Sequence, residues 1–173
     1  MSNQEQFWQD LRSGKFVSMV KESARGRKLS NATEVYNILK PIYARHPDVE
    51  SMYCIFLDAK NQVLGIDKMF SGSITSAPIY PREIIKKVLS TGATSLVMAH
   101  NHPSGCVVAS ADDRAITVKV YVALASIDTA LHDHLVIGNG FFSMADAGWL
   151  RTIADQHRSW MQQNRQIEAV HVQ

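Results

Sequence analysis

The sequence predicts an α/β fold, one mixed β-sheet with helices packed on it. Three observations predict it. Short apolar runs of strand length alternate with segments that carry apolar residues at helical spacing. Two of the strands return on themselves through tight turns, at Asp58-Ala59-Lys60-Asn61 and Gly138-Asn139-Gly140, which makes the sheet mixed rather than parallel. A chain of 173 residues with 46% hydrophobic content also supplies one globular domain with a substantial core.

The elements follow in order. Gln4 to Leu11 reads as a short helix, with Phe7, Trp8 and Leu11 at helical spacing. Phe16 to Val20 reads as a strand. Lys21, Arg25, Arg27 and Lys28 then cluster around Gly26. Such a cluster can contact phosphates, but isolated charge runs are usually solvated loops, and that is the expectation. Ser30 or Asn31 caps the next helix, and Glu34 supports its first turn. Val35, Ile38, Leu39, Ile42 and Tyr43 form its buried stripe, with a kink expected at Pro41 and an end at Pro47. Met52 to Leu57 and Val63 to Met69 are the first hairpin, broken at Ser71-Gly72-Ser73. Pro81 suits the first position of a helix. That helix buries Ile84, Ile85, Val88 and Leu89 and stops at Gly92. Ser95 to Ala99 is a core strand, Ala111 to Ser126 a helix, Ala130 to Ile137 a strand and Phe141 to Ser143 its short return. Ala145 to Trp160 is the last helix, followed by a polar, frayed tail from Gln162 to Gln173 in which His171 is not a ligand.

The chemistry concentrates in Ala99-His100-Asn101-His102-Pro103-Ser104-Gly105 and Ser110-Ala111-Asp112-Asp113. Imidazole and carboxylate are usual zinc ligands, and three of them leave a fourth place for water. Residues two apart on an extended chain project to one side, so His100 and His102 can converge on one ion. Pro103 and Gly105 turn the chain and can bring Asp113 back as the third ligand. A metal held there lowers the pKa of its water, and Ser110 can steady a developing oxyanion. Ser110-x-x-Asp113 also fits an acidic capping box with Ser110 as N-cap; the two roles can coexist. Glu50, at the start of a core strand, can reach a site at the sheet edge and serve as general base. Its rival is Glu83, which sits where it serves a helix dipole. Asp133 and His134 can be a supporting carboxylate and a ligand orienter; the preferred reading is a satisfied histidine at a strand start, with His132 on the opposite face.

His-x-His, seven residues, Ser, two residues, Asp resembles the JAMM motif of the JAB/MPN metalloprotease superfamily. His100-Asn101-His102-Pro103-Ser104-Gly105 and Asp133-His134-Leu135-Val136-Ile137-Gly138 are similar to its RadC branch, as are Pro81-Arg82-Glu83 and Leu57-Asp58-x-x-Asn61. The resemblance runs from about Ser30 to Ser143. It implies a three-layer α/β/α sandwich of JAB/MPN type, itself similar to cytidine deaminases. It implies Zn2+ on His100, His102 and Asp113 rather than Asp112, catalytic roles for Glu50 and Ser110, and a metalloprotease-like hydrolase acting on a peptide or isopeptide-linked protein. Residues 1–29 are then an N-terminal extension, 30–160 the RadC-like domain and 161–173 a tail. This chain departs from the pattern at Cys106-Val107-Val108-Ala109, where RadC-like chains usually have a polar, Pro-rich stretch. The Cys106 thiol can bind metal or be oxidised.

The competing expectation is a non-catalytic DNA-repair or recombination accessory, since RadC relatives are named for repair. Such proteins usually carry an N-terminal helix-hairpin-helix region, which nothing here resembles; the chain looks like a short form found on mobile elements. A net charge of +2 gives no strong case for nucleic acid. A zinc deaminase would need His-x-Glu and a later Pro-Cys-x-x-Cys, and neither occurs. A barrel amidohydrolase needs roughly 250 residues. No run reaches the roughly 18 apolar residues of a membrane span, and Met1-Ser2-Asn3-Gln4-Glu5 is no signal peptide, so a cytoplasmic protein is expected. Cys54 and Cys106 are too few for a disulfide framework. Oligomeric state is not readable from the sequence.

Overall fold

The structure, a computed structural model, describes residues 3–72 and 80–170; Ser73 and His171 lie outside them. Its centre is a five-stranded sheet built from β1 (Ser51–Leu57), β2 (Val63–Ser71), β3 (Ser95–Asn101), β4 (Ala130–Gly138) and β5 (Gly140–Ser143), in the order β2-β1-β3-β4-β5. β1 pairs antiparallel with both β2 and β3, β3 pairs parallel with β4, and β4 pairs antiparallel with β5. The sheet is therefore mixed.

Strand residues alternate between its two faces, and each face has its own core. Tyr53, Ile55 and Leu57 of β1, with Val97, Ala99, Leu135 and Ile137, meet Val35, Ile38, Leu39 and Ile42 of α3 (Ala32–Tyr43). Met52, Cys54 and Phe56, with Leu96 and Met98, meet α4 (Pro81–Thr91), α5 (Ala111–Ala125) and α6 (Trp149–Val170). Helices on both faces of one sheet make a three-layer α/β/α sandwich. Asn31 caps α3 by accepting the Glu34 N–H at 3.0 Å, and the Glu34 carboxylate accepts the Ser30 N–H. The helix passes through Pro41 and ends at Tyr43, ahead of Pro47. The Tyr43 hydroxyl donates to the Ala99 carbonyl at 2.6 Å, fastening α3 to β3 just before His100.

Three elements differ from the sequence expectation. Phe16 to Val20 is not a strand but part of α2 (Lys15–Ala24), which follows α1 (Asn3–Ser13). In a helix Val17, Val20 and Ala24 share one side and pack on the α3 core, while Phe16 and Met19 stay outside. Leu89 is exposed; Ile84 and Val88, four apart, take the buried line of α4 instead. The last helix begins at Trp149 rather than Ala145, because Asp133 Oδ1 captures the Ala145 N–H at 2.9 Å and Gly148 sits at φ +79° in a turn. It then runs on to Val170 through the stretch expected to fray. The basic segment 26–29 lies along the start of the β2 edge: Gly26 N–H donates to Val63, and Val63 N–H to Arg27. Covering an exposed strand edge is its structural use. No helix of the described residues is long and apolar enough to cross a membrane.

Candidate metal centre

The site forms where β1 begins and β3 ends, beside the start of α5. His100 is the last but one residue of β3 and His102 follows the strand, so both rings leave the same side. Their Nε2 atoms are 2.9 Å apart. In the antiparallel register Met52 faces His100. Continuing that register two residues sets Glu50 opposite His102, and ligand atoms of Glu50, His100 and His102 all lie within 4.8 Å of one another. Asp113 enters from α5: its Oδ1 is 3.0 Å from His100 Nε2 and its Oδ2 is 3.5 Å from His102 Nε2. Asp112, its neighbour, points to solvent while Asp113 is buried.

The donor set fits a cation. The carbonyl of Cys106 can only accept, so His102 Nδ1, 3.0 Å away, carries the proton and His102 Nε2 has the lone pair. Asp113 Oδ1 is buried and receives no aligned hydrogen bond despite the nearby ring. The His102 Nε2 lone pair and the orphaned Asp113 carboxylate thus point to one spot, an arrangement that a cation would satisfy. Neighbouring ligand atoms of a tetrahedral zinc site stand about 3.3 Å apart, given bonds of roughly 2.0–2.1 Å; the separations here bracket that value.

Burial pushes the Asp113 carboxyl up, but His100 and the hydrogen bonds from Ser110 outweigh it and hold it well below the usual carboxylate range. It is a standing anion. Ser110 N–H and Oγ–H both donate to Asp113 Oδ2 at 2.7 Å, and Ser110 Oγ accepts the Asp113 N–H at 3.1 Å. The capping box is complete, so any oxyanion role must draw on the same hydroxyl. Glu83 is on the surface between Arg82 and Lys86.

Three supports surround the cluster. Asn101, between the histidines, accepts the Ser51 N–H at 2.8 Å and donates to the Val49 carbonyl at 3.1 Å, bracketing Glu50. Gly138 and Asn139 seat the loop after His102: Asn139 N–H donates to the Gly105 carbonyl, and a Cβ on Gly138 would stand 2.4 Å from that oxygen. His134, expected as a satisfied strand-start histidine, lies under His100, with Nε2 at 2.8 Å from His100 Nδ1. Burial, first, and the neighbouring His100 hold its pKa well below the ordinary value, so it is neutral. A register shift between Leu96 and Val97 skips His132, which bonds Asn61 outside and turns His134 onto the face of His100. The motif Asp133-His134 was the available signal; the bulge was not. Asp133 accepts the His134 N–H at 2.7 Å and also bonds Ser143 and the turn before α6. The exposed Cys106 contributes its carbonyl, while its sulfur accepts the Val108 N–H.

The model of the RadC-like JAB domain matches residues 29–149. A UPF0758 protein of Ectopseudomonas mendocina (strain ymp) is 42% identical over 107 residues, covering 61% of this chain and 48% of the relative. A UPF0758 protein of Pseudomonas fluorescens (strain Pf0-1) is 38% identical over 133 residues, 76% of this chain and 59% of the relative. One of Burkholderia thailandensis is 41% identical over 131 residues, 75% of this chain and 50% of the relative. The chain spans about half the length of the curated relatives it matches, and their names state no reaction.

Proposed function

The chain belongs to the RadC-like JAB domain family, and we propose that it is a zinc-dependent hydrolase of JAMM type that cleaves an amide or isopeptide bond. The observation that carries this reading is the convergence of two imidazole nitrogens and a carboxylate with Glu50 alongside. His100, His102 and Asp113 would hold the metal, which when bound lowers the pKa of a water and polarises a carbonyl.

The chain's own groups do the rest. Glu50, half-buried at the rim, takes the water's proton and returns it to the leaving nitrogen. Asn101 fixes the backbone on either side of Glu50, so the carboxylate needs little reorganisation. Ser110 orients Asp113, and its hydroxyl turns toward the carbonyl oxygen of the substrate as negative charge develops. The substrate is a peptide or an isopeptide-linked protein.

The test is amine release from linear and isopeptide-linked peptides by the zinc-supplemented chain. The reading expects release by the native sequence and none by the His100→Ala/His102→Ala double variant. Release that survives the double replacement, or none from any amide in the set by a protein that holds zinc, contradicts it.

A further inference from the structure

We propose that Thr117 and His134 form a relay that locks His100 as its Nδ1–H tautomer and thereby turns an Nε2 lone pair toward the metal. The inference rests on the metal-centre reading above and adds two positioning residues to it.

The direction of each bond follows from distance and chemistry. Thr117 Oγ1 is 2.5 Å from the Asp113 carbonyl oxygen. Two oxygens that close share a hydrogen, and only the hydroxyl has one to give. With that proton committed, Thr117 Oγ1 can only accept from His134 Nδ1, 2.6 Å away. His134 is fully buried and carries no charge. A neutral ring protonated at Nδ1 has its lone pair on Nε2. That lone pair faces His100 Nδ1 at 2.8 Å, so His100 Nδ1 must donate, and His100 Nε2 is left bare. Nε2 is the atom that meets His102 and Asp113.

The relay begins on the helix that presents Asp113, one turn on, and ends on the strand that presents His100. Two of the three proposed ligands are thereby tied through one hydroxyl. His102 reaches the same state independently, through the Cys106 carbonyl.

Two variants separate this role from packing. Thr117→Val keeps the volume and removes the hydroxyl; Thr117→Ser keeps the hydroxyl and removes a methyl. Zinc affinity is measured against a chromophoric chelator. The full chain labelled with 15N-histidine gives the protonation of each ring nitrogen by NMR. The relay predicts that Thr117→Val weakens zinc binding about 10–100-fold, that Thr117→Ser stays close to the native affinity, and that His134 carries its proton on Nδ1. A packing role reverses the order, because the serine variant opens the void. Native affinity in Thr117→Val, or a His134 proton on Nε2, overturns the relay. If Thr117→Val does not fold, the native spectrum decides alone. If the native chain binds no zinc, the metal reading fails, while the metal-free spectrum still decides the tautomers.

Discussion

Asp113 does two jobs with one carboxylate: it closes the capping box of α5 and stands beside the Nε2 atoms of both His100 and His102. Asp113→Ala should therefore abolish zinc binding and also destabilise the metal-free protein, by about 1 kcal/mol for the cap alone. Calorimetric titration and a denaturant curve read the two effects separately, and zinc binding retained in full would remove Asp113 from the ligand set. Its depressed pKa gives stability that is complete above the ordinary carboxylate range and lost as pH falls below it. His134 acts in the same direction at higher pH. Its folded pKa is lowered from 6.5, so its contribution is present above about pH 6.5 and drains away below it. The metal-free chain should thus show a urea midpoint that declines from pH 7.5 to pH 5. A flat midpoint would mean that His134 is not held neutral. Glu50→Gln should keep zinc and lose about 10²–10⁴-fold in turnover; an active, zinc-loaded Glu50→Gln protein would move the base elsewhere. At this scale the His-x-His and Ser-x-x-Asp pattern was legible because the side chains that converge are close in sequence. Asn101 and Thr117 were not, and His134 was weighed as a ligand orienter without being preferred, because each acts on a residue through the sheet or across a helix contact.

Among the elements, the turn between β4 and β5 is the seat of the loop that carries His102. Gly138 has no room for a side chain against the Gly105 carbonyl. Gly138→Ala should cost about 1–3 kcal/mol by overpacking. It should also weaken zinc binding, because the displaced segment includes the carbonyl that orients His102. A variant of native stability and native zinc affinity would show that the loop shifts without consequence. The strands and most helices could be read from their periodicity, since apolar runs such as Met52 to Leu57 bury every residue. Phe16 to Val20 could not, because four apolar residues in five satisfy either period and only the packing of Val17, Val20 and Ala24 decides. The β4 bulge at His132 was equally hidden. One extra residue reverses which side every later side chain takes, and nothing local in Leu131-His132-Asp133-His134 announces it.

The whole molecule is a sandwich with a core on each face of one sheet, and the candidate centre is built where β1 begins and β3 ends. Placing ligands on strand ends and a helix start, rather than on free loops, keeps them in register before any metal arrives. Metal binding and folding are then linked. Zinc at 100 times its Kd should stabilise the native chain by about 2.7 kcal/mol, seen as a rise in Tm that the His100→Ala/His102→Ala variant does not show. The alternation of strands and helices made the fold class readable, and the RadC-like motifs named its layers. The convergence of Glu50 with two histidines was only implied until the β1–β3 register placed it opposite His102. The most direct measurement is elemental analysis of the chain purified without a His-tag or chelator, beside the His100→Ala/His102→Ala variant. The account predicts about one zinc per native chain and none in the variant, as three protein ligands on one ion require. No metal in either, even after incubation with zinc, would contradict it.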